Sequence, residues 1–271
     1  MPKHRTFDTT MTEWERYPLL VYYLLVAFVG LVGNSFIIVF FKTSTKYRDS
    51  NYRIFILNLA LADFLCCALL PFVKAPQVVT KGVWVMGDFA CRVLWPVVWM
   101  TIPVSSWIIC ALCYDRYTAI SNPFADRLSK KNIVVYCICN WLFSLAFFSP
   151  YFYFTEIASG KCSRMYPEDV RYFMRYFAFA KDLLRGYIPM SLSLILLYKM
   201  NKALKKREKE ALDLHTKVVH IHRKLRKSYK FVIVTTLVFV ICLLPSTIVN
   251  GLKNLAPVSY THLTLPTICS V

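Results

Sequence analysis

Four uncharged runs constrain this chain more than any other feature. Tyr17 to Phe41, Val93 to Tyr114, Asn132 to Thr155 and Phe231 to Leu252 contain no Asp, Glu, Lys or Arg. Each exceeds the about 20 helical residues needed to cross a hydrocarbon core about 30 Å thick. Ile54 to Val73 is a fifth run, broken only by Asp63. A sixth, Tyr172 to Tyr198, carries Arg175, Lys181, Asp182 and Arg185 in its first half, which a helix lining a polar cavity tolerates. With 57% hydrophobic residues and a mean hydropathy of +0.46, the chain holds more apolar surface than a soluble domain of 271 residues buries. The expected fold is all-α, a polytopic transmembrane helical bundle. Its spans fall at about 17–41, 54–79, 90–120, 132–155, 172–198 and 230–252. Residues 1–16 precede this single domain, 17–252, and no repeat or low-complexity tract divides it.

The net charge of +18 invites a nucleic-acid reading, but the charges sort by loop. Segments 42–53, 121–132 and 199–230 together hold 19 Lys or Arg against 5 acidic residues. The N-terminal stretch and the alternate loops hold 12 against 8. The positive-inside rule places the first set in the cytoplasm and the N-terminus outside. The expected partners are therefore membrane lipid and molecules on either side of it, with no nucleic acid. The first run is too late and too long for a cleaved signal peptide and reads as an uncleaved anchor.

Of ten cysteines, Cys66, Cys67, Cys110, Cys113, Cys137, Cys139 and Cys242 fall within spans and read as small packing residues. Cys91 and Cys162 both fall on the outer side, where oxidising conditions permit a bridge. The alternative is two unrelated free thiols. His215, His220 and His222 share neither a helical face nor further ligands, so 199–230 reads as a solvated basic loop rather than a metal site.

An ionised pair, Asp115-Arg116, closes the third run and is followed by Tyr117-Thr118-Ala119-Ile120-Ser121-Asn122-Pro123-Phe124. Charges at such a position are costly unless used. The string Asp-Arg-Tyr-x-Ala-Ile-x-x-Pro-Phe resembles the end of the third helix of rhodopsin-like G-protein-coupled receptors. Further matches are Gly30 to Asn34 in the first span and Leu59-Ala60-Leu61-Ala62-Asp63 in the second. Trp84 to Gly87 before Cys91, Trp141, Pro189 and the Phe239-x-x-Cys242-Leu243-x-Pro245 string match as well. The resemblance implies coupling to a heterotrimeric G protein through Asp115, Arg116, Tyr117, Ile120, Pro123 and Phe124. It also implies a Cys91–Cys162 bridge, a polar core of Asn34, Asp63 and Ser105, and a switch at Phe239, Cys242, Leu243 and Pro245. In the resembled family the positions of Asp63 and Ser105 help hold a sodium ion that stabilises the resting state, the one cofactor-like group expected.

Cys91, Trp95, Val98, Ile102, Ser105, Ile109, Leu112 and Arg116 recur at alternating steps of four and three, so they lie along one helical face. Pointed into the bundle, that face runs from a ligand mouth past Asp63 to Arg116. A packing stripe explains its apolar members equally well.

The chain departs from the family pattern at three places. Leu243 stands where a tryptophan is usual, Tyr198 follows Pro189 by one residue more than the norm, and 223–230 lacks the glutamate that latches the third-helix arginine in some members. Arg116 is then expected to rest on Asp115 alone. After Leu252 only 19 residues remain, so six of an expected seven spans are present, with 253 onward starting an outer loop. Residues 258–271 resemble translated cloning-adaptor sequence.

The chain is therefore read as a plasma-membrane, multi-pass receptor and not an enzyme, since its spans lack paired catalytic carboxylates or a Ser and His pair. Val98 replaces the aspartate of amine receptors, disfavouring a biogenic amine. Trp95, Val98, Trp99, Ile102, Lys181 and Arg185 form the expected ligand pocket, suited to a peptide carboxylate, as in a neuropeptide receptor, or to another acidic ligand. The alternatives there are Trp99 facing lipid and Lys181 paired with Asp182. A transporter using Asp63 and the charged fifth span is the competing class, although no repeated halves are evident.

Overall fold

The computed structural model describes residues 13–45, 50–122, 127–213, 229–244 and 247–248. The helices are α1 (Glu13–Thr43), α2 (Asn51–Val79), α3 (Gly87–Ser121), α4 (Lys130–Phe154), α5 (Glu168–Asp182) and α6 (Ile188–Asp213), followed by α7 (Tyr229–Leu244). A wide π turn, Leu183–Tyr187, joins α5 to α6. The first four helices are long and apolar enough to cross a membrane. Their exposed faces carry Phe28, Phe36, Ile138, Leu142 and Phe143, apolar residues that lipid solvates and water does not.

Helix α3 occupies the centre, packed against α2, α4 and α6, and is buried on every side along much of its length. The main core joins Phe55, Ile56 and Leu59 of α2 to Ile108, Ile109 and Leu112 of α3, with Met200 of α6 and Val232 of α7. Glycine permits the closest approach: a Cβ on Gly30 would stand 2.2 Å from the Cys67 Sγ of α2, whereas one on Gly33 would meet nothing within 4 Å. Polar ties fix α3 to α4 and the π turn. Asn140 Nδ2 donates to Val104 O at 3.0 Å, Tyr136 Oη to Trp107 O at 2.9 Å, and Trp107 Nε1 to Leu184 O at 3.0 Å.

The helical expectation holds with one addition. Strands β1 (Thr155–Ala158) and β2 (Lys161–Arg164) form an antiparallel hairpin pairing Thr155 with Arg164 and Ala158 with Lys161. Its two-residue turn, Ser159-Gly160, takes positive φ at both positions, 51° and 73°, the combination that suits the right-handed twist of paired strands. Trp84 N donates to Gly160 O at 2.7 Å, and Cys91 of α3 is disulfide-bonded to Cys162 of β2. The hairpin is thus held over the Cys91 end of the bundle.

Candidate functional site

Beneath the hairpin lies a cavity of about 240 Å³, lined by Trp95, Pro96, Trp99, Phe148, Tyr151, Arg164, Ala178, Lys181, Asp182 and Arg185. Pro189 cannot donate an N–H to the carbonyl four residues earlier, and the π turn lies immediately before it, with the Ile188 N–H donating to Leu183 O. Arg185 within this turn is only 2% exposed, and Asp182 at its start is equally buried. Asp182 Oδ1 lies 3.5 Å from both Lys181 Nζ and Arg185 Nη2. The pairing of Lys181 with Asp182 weighed in the sequence is therefore present.

Aromatic rings carry the remaining positive charge. Arg164 lies over Trp95 and Tyr151, Lys181 over Tyr151, and Lys74 and Arg185 over Trp99, all within 5.5 Å of the ring centre. Such contacts favour cations where water is scarce. At the edge of the cavity region, Tyr166 packs edge-on to Phe154. Burial pushes its phenol above the ordinary tyrosine value despite the opposing charge of Arg164, so it stays protonated at neutral pH.

Two expected pocket residues are elsewhere. Val98 is buried among Tyr23, Cys66, Leu70, Val73 and Val78, facing α1 and α2, and Ile102 is 4% exposed and does not line the cavity. The stripe failed there because α3 has neighbours all round, so one face does not define one destination. Trp99 lines the cavity rather than facing lipid. Sequence reasoning missed Tyr151 and Arg164, and weighed Asp182 only as a partner of Lys181. Arg164 had a usable signal, since it lies two residues past Cys162 and shares its strand.

Midway along α3, Ser105 Oγ donates to Asp63 Oδ1 at 2.7 Å. Asn34, expected in the same polar core, does not join it: its amide donates to Gly30 O in its own helix at 2.9 Å and is only partly buried. Hydroxyl and carboxylate oxygens suit a hard cation, and this pair supplies two of them. Among the described residues no group of three or more His, Cys, Asp or Glu could hold a metal ion.

At the far end of α3, Arg116 Nε donates to Asp115 Oδ2 at 2.9 Å, and Nη2 donates to the same oxygen. Arg116 does not rest on Asp115 alone: its guanidinium also lies 5.0 Å from the centre of the Tyr52 ring. Tyr52 in turn meets Phe41 of α1 at 6.0 Å and Phe231 of α7 at 5.9 Å. Tyr117 packs against the core, and Ile120, expected at a partner-binding surface, is 2% exposed inside it. Ile120 anchors the helix end because it is buried in the main core rather than turned to solvent. Pro123 and Phe124 lie outside the described residues.

A model of the 7 transmembrane receptor (rhodopsin family) matches residues 33–271. The chain belongs to this family. Cysteinyl leukotriene receptor 1 of Sus scrofa is 28% identical over 158 residues, 58% of this chain and 46% of that protein. The Cavia porcellus protein of the same name is 30% identical over 131 residues, 48% and 38% of the two chains. The Homo sapiens protein is 27% identical over 148 residues, 54% and 43%. The matched stretch thus spans less than half the length of these curated relatives.

The remaining expected receptor features fall on α7 and α6. Phe239 packs half-buried against the main core, and Leu243 is 1% exposed, its carbonyl accepting from Thr247 Oγ1 at 2.7 Å. Leu243 therefore fills interior space where the family places an aromatic ring. Cys242 is partly buried. Pro245, His215, His220, His222 and the expected tail at 253–271 lie outside the described residues. Tyr198 points outward, 71% exposed, off the bundle-facing side where the family pattern would put it.

Proposed function

We propose that the protein is a plasma-membrane receptor that binds an extracellular ligand in the cavity beneath the hairpin and activates a heterotrimeric G protein at the Arg116 end. One observation carries the reading. A single buried helix, α3, contributes Trp95 and Trp99 to a cationic cavity at one end and Asp115-Arg116 at the other. In a family of seven-transmembrane receptors, such a shaft couples two sites through a two-state rearrangement of its neighbours. The role is allosteric rather than catalytic, with the N-terminus and hairpin outside and the basic extension of α6 inside.

The ligand is a small acidic amphiphile. Arg164, Lys181 and Arg185 against a single carboxylate, Asp182, give the cavity a net positive lining. Its volume lies just below the roughly 300–1,000 Å³ of common small-molecule sites. The ligand for which the relatives are named, a cysteinyl leukotriene, supports this class over the peptide expected from the sequence. A peptide presenting its terminal carboxylate is the second reading, favoured by Trp95, Trp99 and Tyr151. Sodium at Asp63 and Ser105 belongs to the same proposal, the two oxygens supplying part of a shell that would steady the resting arrangement.

Ligand-driven nucleotide exchange on the G protein, abolished by Arg116→Ala with binding retained, is the expected result. Solute flux that survives Arg116→Ala, with no exchange activity in the unaltered protein, would overturn it in favour of a transporter working through Asp63.

A further inference from the structure

Charge and aromatic surface are arranged in the cavity as two ends around a middle. Trp95 and Trp99 stand one turn apart on α3 with ring centres 5.6 Å apart. A guanidinium sits on each: Arg164 lies 5.5 Å from the Trp95 centre and Arg185 5.5 Å from that of Trp99. The two arginines come from different elements, β2 and the π turn, and so approach the indole pair independently. Each end is reinforced by a lysine, Lys74 over Trp99 and Lys181 over Tyr151, which Arg164 also covers at 5.3 Å.

The counter-charge is lopsided. Asp182 serves Lys181 and Arg185, whereas among the described residues no carboxylate lies within ion-pair distance of Arg164. Asp182 does not saturate its own end either. Arg185 Nε and Trp99 Nε1 are buried and have no hydrogen-bond partner among the described residues, and Arg185 Nη2 meets Asp182 Oδ1 at 3.5 Å without a hydrogen bond. A buried guanidinium nitrogen without an acceptor is destabilising, so the Trp99 end has donors waiting for an oxygen ligand. The Arg164 end has a charge waiting for its opposite.

We propose that the cavity takes a ligand with two separated acidic groups joined by a flat apolar spacer. One acid accepts from Arg185 and Trp99 Nε1, the other pairs with Arg164, and the spacer lies on the Trp95–Trp99 surface beside Tyr151. A ligand with one acid leaves an arginine uncompensated, and one with an amine at its second end meets a like charge. This deepens the acidic-ligand reading above and rests on it for biological meaning, although the binding it requires does not depend on signalling.

The test compares three aromatic diacids, benzene-1,4-, naphthalene-2,6- and biphenyl-4,4′-dicarboxylate, with the matching monoacids. Binding to the protein in lipid nanodiscs is read by quenching of tryptophan fluorescence. At least one diacid should bind five times or more tightly than its monoacid, beyond the about twofold statistical advantage of two equivalent ends and equal to about 1 kcal/mol. Arg164→Gln should reduce that ratio to about two, weakening the diacid more than the monoacid. An advantage below fivefold for all three pairs overturns the proposal, and needs no variant to read. So does an advantage that survives Arg164→Gln. Diacid binding as described, without ligand-driven G-protein exchange, would sink the receptor reading and leave this inference standing. Exchange driven by a monoacid, with no diacid advantage, would do the reverse.

Discussion

Replacing Tyr52 with leucine should raise ligand-free signalling. The Tyr52 ring stands between Arg116 of α3 and Phe231 of α7, 5.0 Å from the guanidinium carbon and 5.9 Å from the phenyl centre in an edge-on pair. A partly desolvated cation–π contact contributes about 0.5–2 kcal/mol, and an edge-to-face aromatic pair about 0.5–1.5 kcal/mol beyond its buried area. Leucine keeps most of the buried apolar volume and removes both contacts. Only the share lost on activation shifts the equilibrium. If half of a combined ~2 kcal/mol is lost when α7 separates from Tyr52, the resting state weakens by ~1 kcal/mol, and the active fraction rises about fivefold. The assay is guanine-nucleotide exchange in membranes without ligand, normalised to receptor at the surface. Tyr52→Phe keeps the ring and should stay near the unaltered level, while Phe231→Ala should move in the same direction as Tyr52→Leu by a smaller amount. Ligand-free exchange in Tyr52→Leu at or below the unaltered level, with ligand-driven exchange intact, would refute the reasoning.

Three further outcomes follow from packing and bonding. Gly30→Ala should lower the thermal unfolding temperature in detergent, because its Cβ would lie 2.2 Å from Cys67 Sγ; overpacking of this kind costs about 1–3 kcal/mol. Cys67→Ala in the same chain should restore most of the loss. Ser105→Ala and Asp63→Ala, assayed by unfolding, should each cost roughly 1–3 kcal/mol by stranding a partner, and the double variant should cost less than their sum. Cys162→Ser should destabilise the fold by up to about 4 kcal/mol, given the 71-residue separation of the bridged cysteines, and should weaken acid binding because β2 carries Arg164.

The sequence exposes some of these features and hides others for physical reasons. The long apolar helices are legible because a hydrocarbon core imposes them on composition, whereas the Cys91–Cys162 bridge and the meeting of Ser105 with Asp63 are legible from the family resemblance rather than from periodicity. Periodicity does not say which neighbour a residue meets on a helix buried all round, which is why Val98 and Ile102 were assigned to the cavity yet pack into the core. Asn34 had an equally good partner in its own backbone at Gly30, a local option that the spacing of motifs does not reveal. The hairpin escaped because Thr155 to Arg164 has no clear alternation of apolar and polar residues. Only Ser159-Gly160 signals its turn. Arg164, and with it the cavity's second positive end, depends on that turn folding the chain back over α3.

The same contacts indicate how α7 would move. Its Leu244 end is held closely through Thr247, whose Oγ1 donates to Leu243 O: Tyr187 Oη donates to Thr247 O at 2.7 Å, and a Cβ on Gly186 would stand 3.1 Å from Thr247 Oγ1. Midway, Thr236 meets Cys113 through a thiol–hydroxyl contact of 3.4 Å, a weak bond because sulfur donates and accepts poorly. At the Arg116 end, Phe231 meets Tyr52 through rings alone, a contact without the directional hold of a backbone hydrogen bond. Resistance to separation therefore falls from the Leu244 end, beside Thr247, towards Phe231, and α7 should swing as a lever about its Leu244 end. Spin labels on exposed Val234 and Tyr114 report the free end, and labels on Ile248 and Ile188 report the pivot. Introducing Tyr52→Leu should broaden or lengthen the first distance and leave the second unchanged. Equal changes in both would mean that α7 translates as a rigid rod, and the ring contact at Tyr52 would then be no more decisive than the bond at Thr247.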